Sequence, residues 1–159
     1  MSAHDFSFRK IDAGALPLAA WRGKPVLVVN TASECGFTPQ YAALGKLWQR
    51  YRDKGFVLLG VPSNDFGAQE PGDEAEIKEF CTRNYAVDFP LAAKEVVSGV
   101  KAHPFYQWVA KEGGAPRWNF HKYLIAPDGT LAGAWASRVA PEDPAITGAI
   151  EAALKPEPS

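Results

Sequence analysis

The chain has 159 residues, 47% of them hydrophobic and 22% charged, enough to bury the core of one globular domain. Its net charge is −1 and no basic run stands out, which excludes the electrostatic footprint of a nucleic-acid binder. No stretch approaches the about 20 apolar residues of a membrane span, and residues 1–10 lack the apolar segment of a secretory leader, so a reducing cytoplasmic setting is expected.

Residues 25–30 are a short apolar, β-branched run suited to a strand buried on both faces. From residue 40 to 54, Tyr41, Leu44, Leu47, Trp48 and Tyr51 recur at helical spacing, and Gly55 ends the pattern. Residues 56–61 read as a second buried strand. The result is a β–α–β unit with parallel strands and a right-handed crossover.

Residues 62–72 are rich in turn formers and make a loop at a strand's C-terminal end. Asp73 followed by Glu76 predicts a capping box, opening a helix that carries Ile77, Phe80, Cys81, Asn84 and Tyr85 on one side. A shorter helix is predicted over 102–114, with His103 as cap, Pro104 at its first position and Phe105, Trp108 and Val109 facing the core. Residues 119–125 and 131–136 flank Pro127-Asp128-Gly129-Thr130, a turn signal for an antiparallel hairpin. Asp143-Pro144 starts a terminal helix with Ile146, Ile150 and Leu154 on one face, and the tail after Lys155 should fray.

This order predicts an α/β fold, a mixed sheet with helices on both faces, on the thioredoxin-like plan. It forms a single domain with its core at about residues 6–154, without internal repeat or linker.

The chemistry centres on Cys35, which follows the first buried strand and precedes the first helix. A helix N-terminus presents unpaired N–H groups and partial positive charge, which favour thiolate over thiol. A thioredoxin would carry a second cysteine three positions on, but Thr38 stands there, so Cys35 cannot exchange with a local partner. The plainest step for a lone thiolate is attack on a peroxide O–O bond, giving sulfenic acid and water or an alcohol. No histidine or cysteine cluster has metal-ligand spacing, and no cofactor is expected.

The element Asn30-Thr31-Ala32-Ser33-Glu34-Cys35-Gly36-Phe37-Thr38-Pro39-Gln40-Tyr41 resembles that of the glutathione peroxidase family. Three further blocks resemble the family in the same order. They are Val61-Pro62-Ser63-Asn64-Asp65-Phe66-Gly67-Ala68-Gln69-Glu70-Pro71-Gly72, then the segment from Phe80 to Pro90, then Trp118-Asn119-Phe120-His121-Lys122-Tyr123.

The resemblance implies a catalytic tetrad of Cys35, Gln69, Trp118 and Asn119. Indole N–H and carboxamide NH₂ groups are neutral donors, able to stabilise a thiolate and the departing oxygen without a metal. Trp118 and Asn119 are adjacent, so on a regular strand they would point apart, and an irregular backbone is required for both to reach Cys35. Cys81 matches the position of the resolving cysteine in the thioredoxin-dependent branch, although its spacing also fits a buried apolar cysteine.

The two cysteines are 46 positions apart, and a disulfide needs Cα atoms within about 7 Å. Local unfolding of about residues 72–85 on oxidation is therefore expected. Thioredoxin is the implied reductant and glutathione the alternative, since no cluster of Lys and Arg awaits glutathione's carboxylates. A peroxide sensor that passes its disulfide to a partner protein would use the same first steps.

Some positions depart from the family pattern. Asp65 stands where many relatives have glutamine, Ser63 where some have cysteine, and Ala68 where glycine is common. His121 is expected at an edge or on the surface. The short run before Trp118, without the insertion of tetrameric relatives, implies a monomer open to bulky lipid hydroperoxides.

Overall fold

The structure, a computed structural model, describes residues 1–155. Its central sheet has four strands: β3 (Val26–Thr31), β4 (Val57–Pro62), β5 (Lys122–Ile125) and β6 (Leu131–Trp135), in the order β4-β3-β5-β6. β3 and β4 are parallel, with Val28 opposite Leu59, while β5 runs antiparallel to both β3 and β6. All residues of β3, β4 and β5 are buried, as expected of strands covered on both faces.

Alternation along the strands divides the core in two. Val26 and Val28 pack with Leu59, Tyr123 and the aromatic face of α3 (Pro104–Gly113). Leu27 and Val29 pack on the opposite side with α1 (Gln40–Tyr51), α2 (Glu74–Tyr85) and α4 (Pro144–Leu154). The mixed sheet with helices on both faces is thus present.

The helix ends follow the sequence chemistry. Asp73 and Glu76 form the reciprocal capping box of α2. His103 Nδ1 accepts from the Phe105 N–H at the start of α3, and the Asp143 carboxylate accepts from the Ala145 N–H at the start of α4. α1 ends at Tyr51, and its predicted last turn, Arg52–Lys54, is a 3₁₀ turn closed by Gly55 at φ 98°.

Three differences from the sequence reading stand out. A small antiparallel hairpin of β1 (Ser7–Arg9) and β2 (Ala15–Pro17) covers the α3 side of the core through Phe8 and Leu16. Asn84 lies exposed on α2, its side chain donating to the Phe80 carbonyl, so it does not join the buried side of Ile77 and Cys81. β5 starts at Lys122 and not at residue 119. The tail after Lys155 lies outside the described residues.

Candidate active site

Because β3 and β4 are parallel and β5 is antiparallel to them, the C-terminal ends of the first two lie beside the N-terminal end of the third. Three connections therefore meet at one end of the sheet: residues 32–39, 63–73 and 118–121. This is where open α/β sheets place their sites.

Cys35 lies on the first connection, 7% exposed, as a free thiol. It does not abut α1 directly. Successive turns intervene, in which Thr38 N–H bonds the Cys35 carbonyl at 3.0 Å and Tyr41 N–H bonds the Thr38 carbonyl at 3.0 Å. Thr38 fixes this turn: its hydroxyl accepts from the Cys35 N–H and donates to the Ala32 carbonyl, both at 2.9 Å. The N–H of Phe37 points at the sulfur, 3.3 Å from Sγ, so a backbone donor supports negative charge there.

The second connection carries Gln69, half-buried, whose backbone carbonyl accepts from Glu34 N–H at 3.0 Å, one residue before Cys35. Asp65 anchors this loop by accepting from the N–H groups of Val97 and Ser98 at 2.7 and 3.0 Å. Gly67 is at φ 69°, and a Cβ there would lie 2.9 Å from Cη2 of Trp118. Ala68 also adopts positive φ, at 52°.

The third connection is a turn. Phe120 has φ 65°, the irregularity that the adjacency of Trp118 and Asn119 requires. Asn30 at the end of β3 holds this turn from both sides, its side chain donating to the Trp118 carbonyl and its own carbonyl accepting from Phe120 N–H. Asn119 is fully buried, and its Nδ2 donates to Gln69 Oε1 at 3.1 Å and to the Phe66 carbonyl at 3.3 Å. Trp118 is half-buried, its ring centroid 5.8 Å from that of Phe66. Gln69 and Asn119 thus touch directly, Trp118 abuts the Gly67 loop, and Cys35 joins them through the Glu34–Gln69 backbone bond. Among the described residues the hydrogen bond to Sγ comes from Phe37 and not from the Gln69, Trp118 or Asn119 side chains.

Cys81 is fully buried on α2, in the same apolar cluster as Cys35, and burial pushes its thiol up to about 11. His121 is not a surface residue: it is 8% exposed beside Tyr123, and burial pulls its pKa down to about 4.

Two charged residues escaped the sequence reading. Lys122 is fully buried, its Nζ donating to the carbonyls of Phe120 at 2.7 Å and Ser137 at 3.1 Å, so it braces the turn that presents Asn119. Burial pulls its pKa down to about 7. Glu70 is 1% exposed, and burial pushes its carboxyl up to about 7. Nothing in the sequence distinguishes these two from solvated charges, because their burial comes from contacts distant along the chain.

Residues 3–110 match the family model for glutathione peroxidase. The chain belongs to the glutathione peroxidase family. It is 45% identical over 144 residues to a glutathione peroxidase-like peroxiredoxin of Schizosaccharomyces pombe, covering 87% of this chain and 91% of that one. It is 41% identical over 151 residues to a hydroperoxy fatty acid reductase of Synechocystis, covering 88% and 89%. The crystal structure of Trgpx in apo form superposes with a TM-score of 0.81 at 38% identity, covering 98% and 97%. Membership makes this chain a peroxidase, an oxidoreductase whose oxidant is a peroxide. No helix among the described residues is long and apolar enough to cross a membrane.

Proposed function

We propose that this glutathione peroxidase family member reduces hydrogen peroxide and organic or lipid hydroperoxides through Cys35, with Cys81 as the resolving thiol and thioredoxin as the reductant. The observation that carries it is the convergence of Cys35, with Phe37 N–H on its sulfur, and the Asn119–Gln69 pair at one end of the sheet.

The Cys35 thiolate attacks one peroxide oxygen; the O–O bond breaks, and the departing oxygen leaves as water or alcohol after taking up a proton. The Trp118 indole and the Gln69 amide supply neutral donors for the charge that develops on that oxygen, and Asn119, whose two N–H bonds go to Gln69 Oε1 and the Phe66 carbonyl, holds Gln69 in place. A neutral, half-buried frame also admits apolar hydroperoxides, in keeping with the name of the Synechocystis relative.

The sulfenic acid on Cys35 is then attacked by the Cys81 thiolate, forming the disulfide and releasing its oxygen as water. A dithiol such as thioredoxin returns both cysteines to thiols and becomes a disulfide itself. The enzyme is a cytoplasmic monomer of one domain, needing no metal or bound cofactor. The reductant is tested by turnover with hydrogen peroxide in the presence of reduced thioredoxin or of glutathione. Sustained turnover with thioredoxin alone supports the scheme; turnover with glutathione alone overturns it.

A further inference from the structure

Glu70 stands between the two cysteine-bearing segments without taking part in the chemistry above. With Ser33 and Glu34 of the Cys35 connection, and Glu76, Ile77 and Phe80 of α2, it lines a cavity of about 180 Å³. Its backbone N–H is held by the Asn64 side chain at 2.9 Å, which fixes the main chain at this point of the loop.

Its Oε2 is buried and has no hydrogen-bond partner. The charged and titratable groups around it come from every neighbouring segment. Ser33 and Glu34 face it from the Cys35 connection, and Lys94 from the chain beyond α2. Tyr41 of α1 and Cys81 of α2 both feel its charge, and Glu76 of α2 shares its cavity. The Ser33 hydroxyl and backbone N–H face the carboxyl and favour its charged form, but burial outweighs them. The cation, Lys94, spends its own donors on the carbonyls of Glu70 and Gly72, at 3.2 and 2.6 Å. Burial, an unpartnered Oε2 and two further acids weigh against the carboxylate more than Ser33 and Lys94 favour it, so a neutral carboxylic acid suits this place.

We infer that Glu70 gates the resolving step: as a neutral acid it seals α2 against the Cys35 connection, and on losing its proton it loosens that packing and releases Cys81. This rests on Cys81 being the resolving thiol. Glu70 acts here as a positioning residue and does not touch the reacting sulfur.

The sign follows from linkage. The carboxyl holds its proton up to about pH 7 when α2 is closed, but returns to the ordinary range near 4.5 when α2 lifts and water enters. Opening therefore releases a proton between those values, and opening becomes easier as pH rises through that window, by up to about tenfold per pH unit. Below it α2 is locked; above pH 7 the effect is complete. The Cys81 thiol, raised by burial in the same packing, is relieved by the same motion.

The test is amide hydrogen exchange of α2 in the reduced full-length protein between pH 4 and 8, corrected for the intrinsic pH dependence of exchange. Wild-type protection should fall at least tenfold between pH 4.5 and 7 and then level off. Glu70→Gln, which fixes the neutral form, should stay protected throughout. Lys94→Met should move the midpoint upward, because removing the cation makes ionisation harder. Parallel pH profiles in wild type and Glu70→Gln, or a flat wild-type profile, would overturn the gate. The resolving role is read separately from the Cys35–Cys81 disulfide after peroxide: its absence with a normal exchange profile refutes that role, and with it the gating of resolution, and leaves only a pH-dependent opening of α2.

Discussion

Asn119 Nδ2 donates to Oε1 of Gln69 across 50 positions of sequence, joining the turn before β5 to the loop after β4. Asn119 Oδ1 is buried without a partner, so the side chain is oriented through its NH₂ end alone. Replacing Asn119 by Ala frees Gln69, whose side chain then has no fixed direction and whose amide is no longer a preorganised donor. The rate of Cys35 oxidation by hydrogen peroxide should fall by about 10²-fold, the range found when one preorganised oxyanion donor is lost. Stopped-flow measurement of that single step checks it, with the far-UV spectrum showing that the fold persists.

Gly67 and Ala68 make opposite predictions. Gly67→Ala places a methyl 2.9 Å from the Trp118 ring on a backbone at φ 69°, so it should displace the indole and slow peroxide reduction about tenfold. Ala68→Gly relieves a non-glycine residue at φ 52° and should stabilise the protein by about 1 kcal/mol. Chemical denaturation of the two variants, with peroxide kinetics for the first, reads both effects.

Asp73 tunes the mobility of α2. Its carboxylate accepts from Glu76 N–H at 2.9 Å, and Asp73→Ala forfeits this cap and about 1 kcal/mol of helix stability. If α2 must open before Cys81 reaches Cys35, disulfide formation after oxidation should become about fivefold faster in this variant. An unchanged rate would show that helix opening does not limit resolution.

The core of the fold was legible because its signals are local. β3 and β4 are continuous apolar runs, and the caps of α2, α3 and α4 are each a side chain within three residues of the N–H it serves. The β1–β2 hairpin was not legible, since each strand has three residues and a single buried side chain. Residues 119–121 read as strand because Asn119-Phe120-His121 leads into a genuine one, but Asn30, distant in sequence, holds them in a turn.

At the site, the strand–helix junction pointed to Cys35, whereas Gln69, Trp118 and Asn119 came from the family resemblance. Their mutual geometry depends on the antiparallel placement of β5, which no motif encodes. Glu70, Lys122 and His121 were missed for a related reason: each looks like a polar surface residue in its own neighbourhood and is buried by segments far along the chain.

The central claim is that Cys35 and Cys81, both buried and unbonded in the reduced protein, become one disulfide during the cycle. The most direct measurement is the intact and peptide mass of reduced protein after one equivalent of hydrogen peroxide. Loss of two hydrogens with a Cys35–Cys81 cross-linked peptide is the predicted result. A single added oxygen on Cys35 with Cys81 still a free thiol would contradict it, leaving Cys81 a core residue and the sulfenic acid to be reduced by an external thiol.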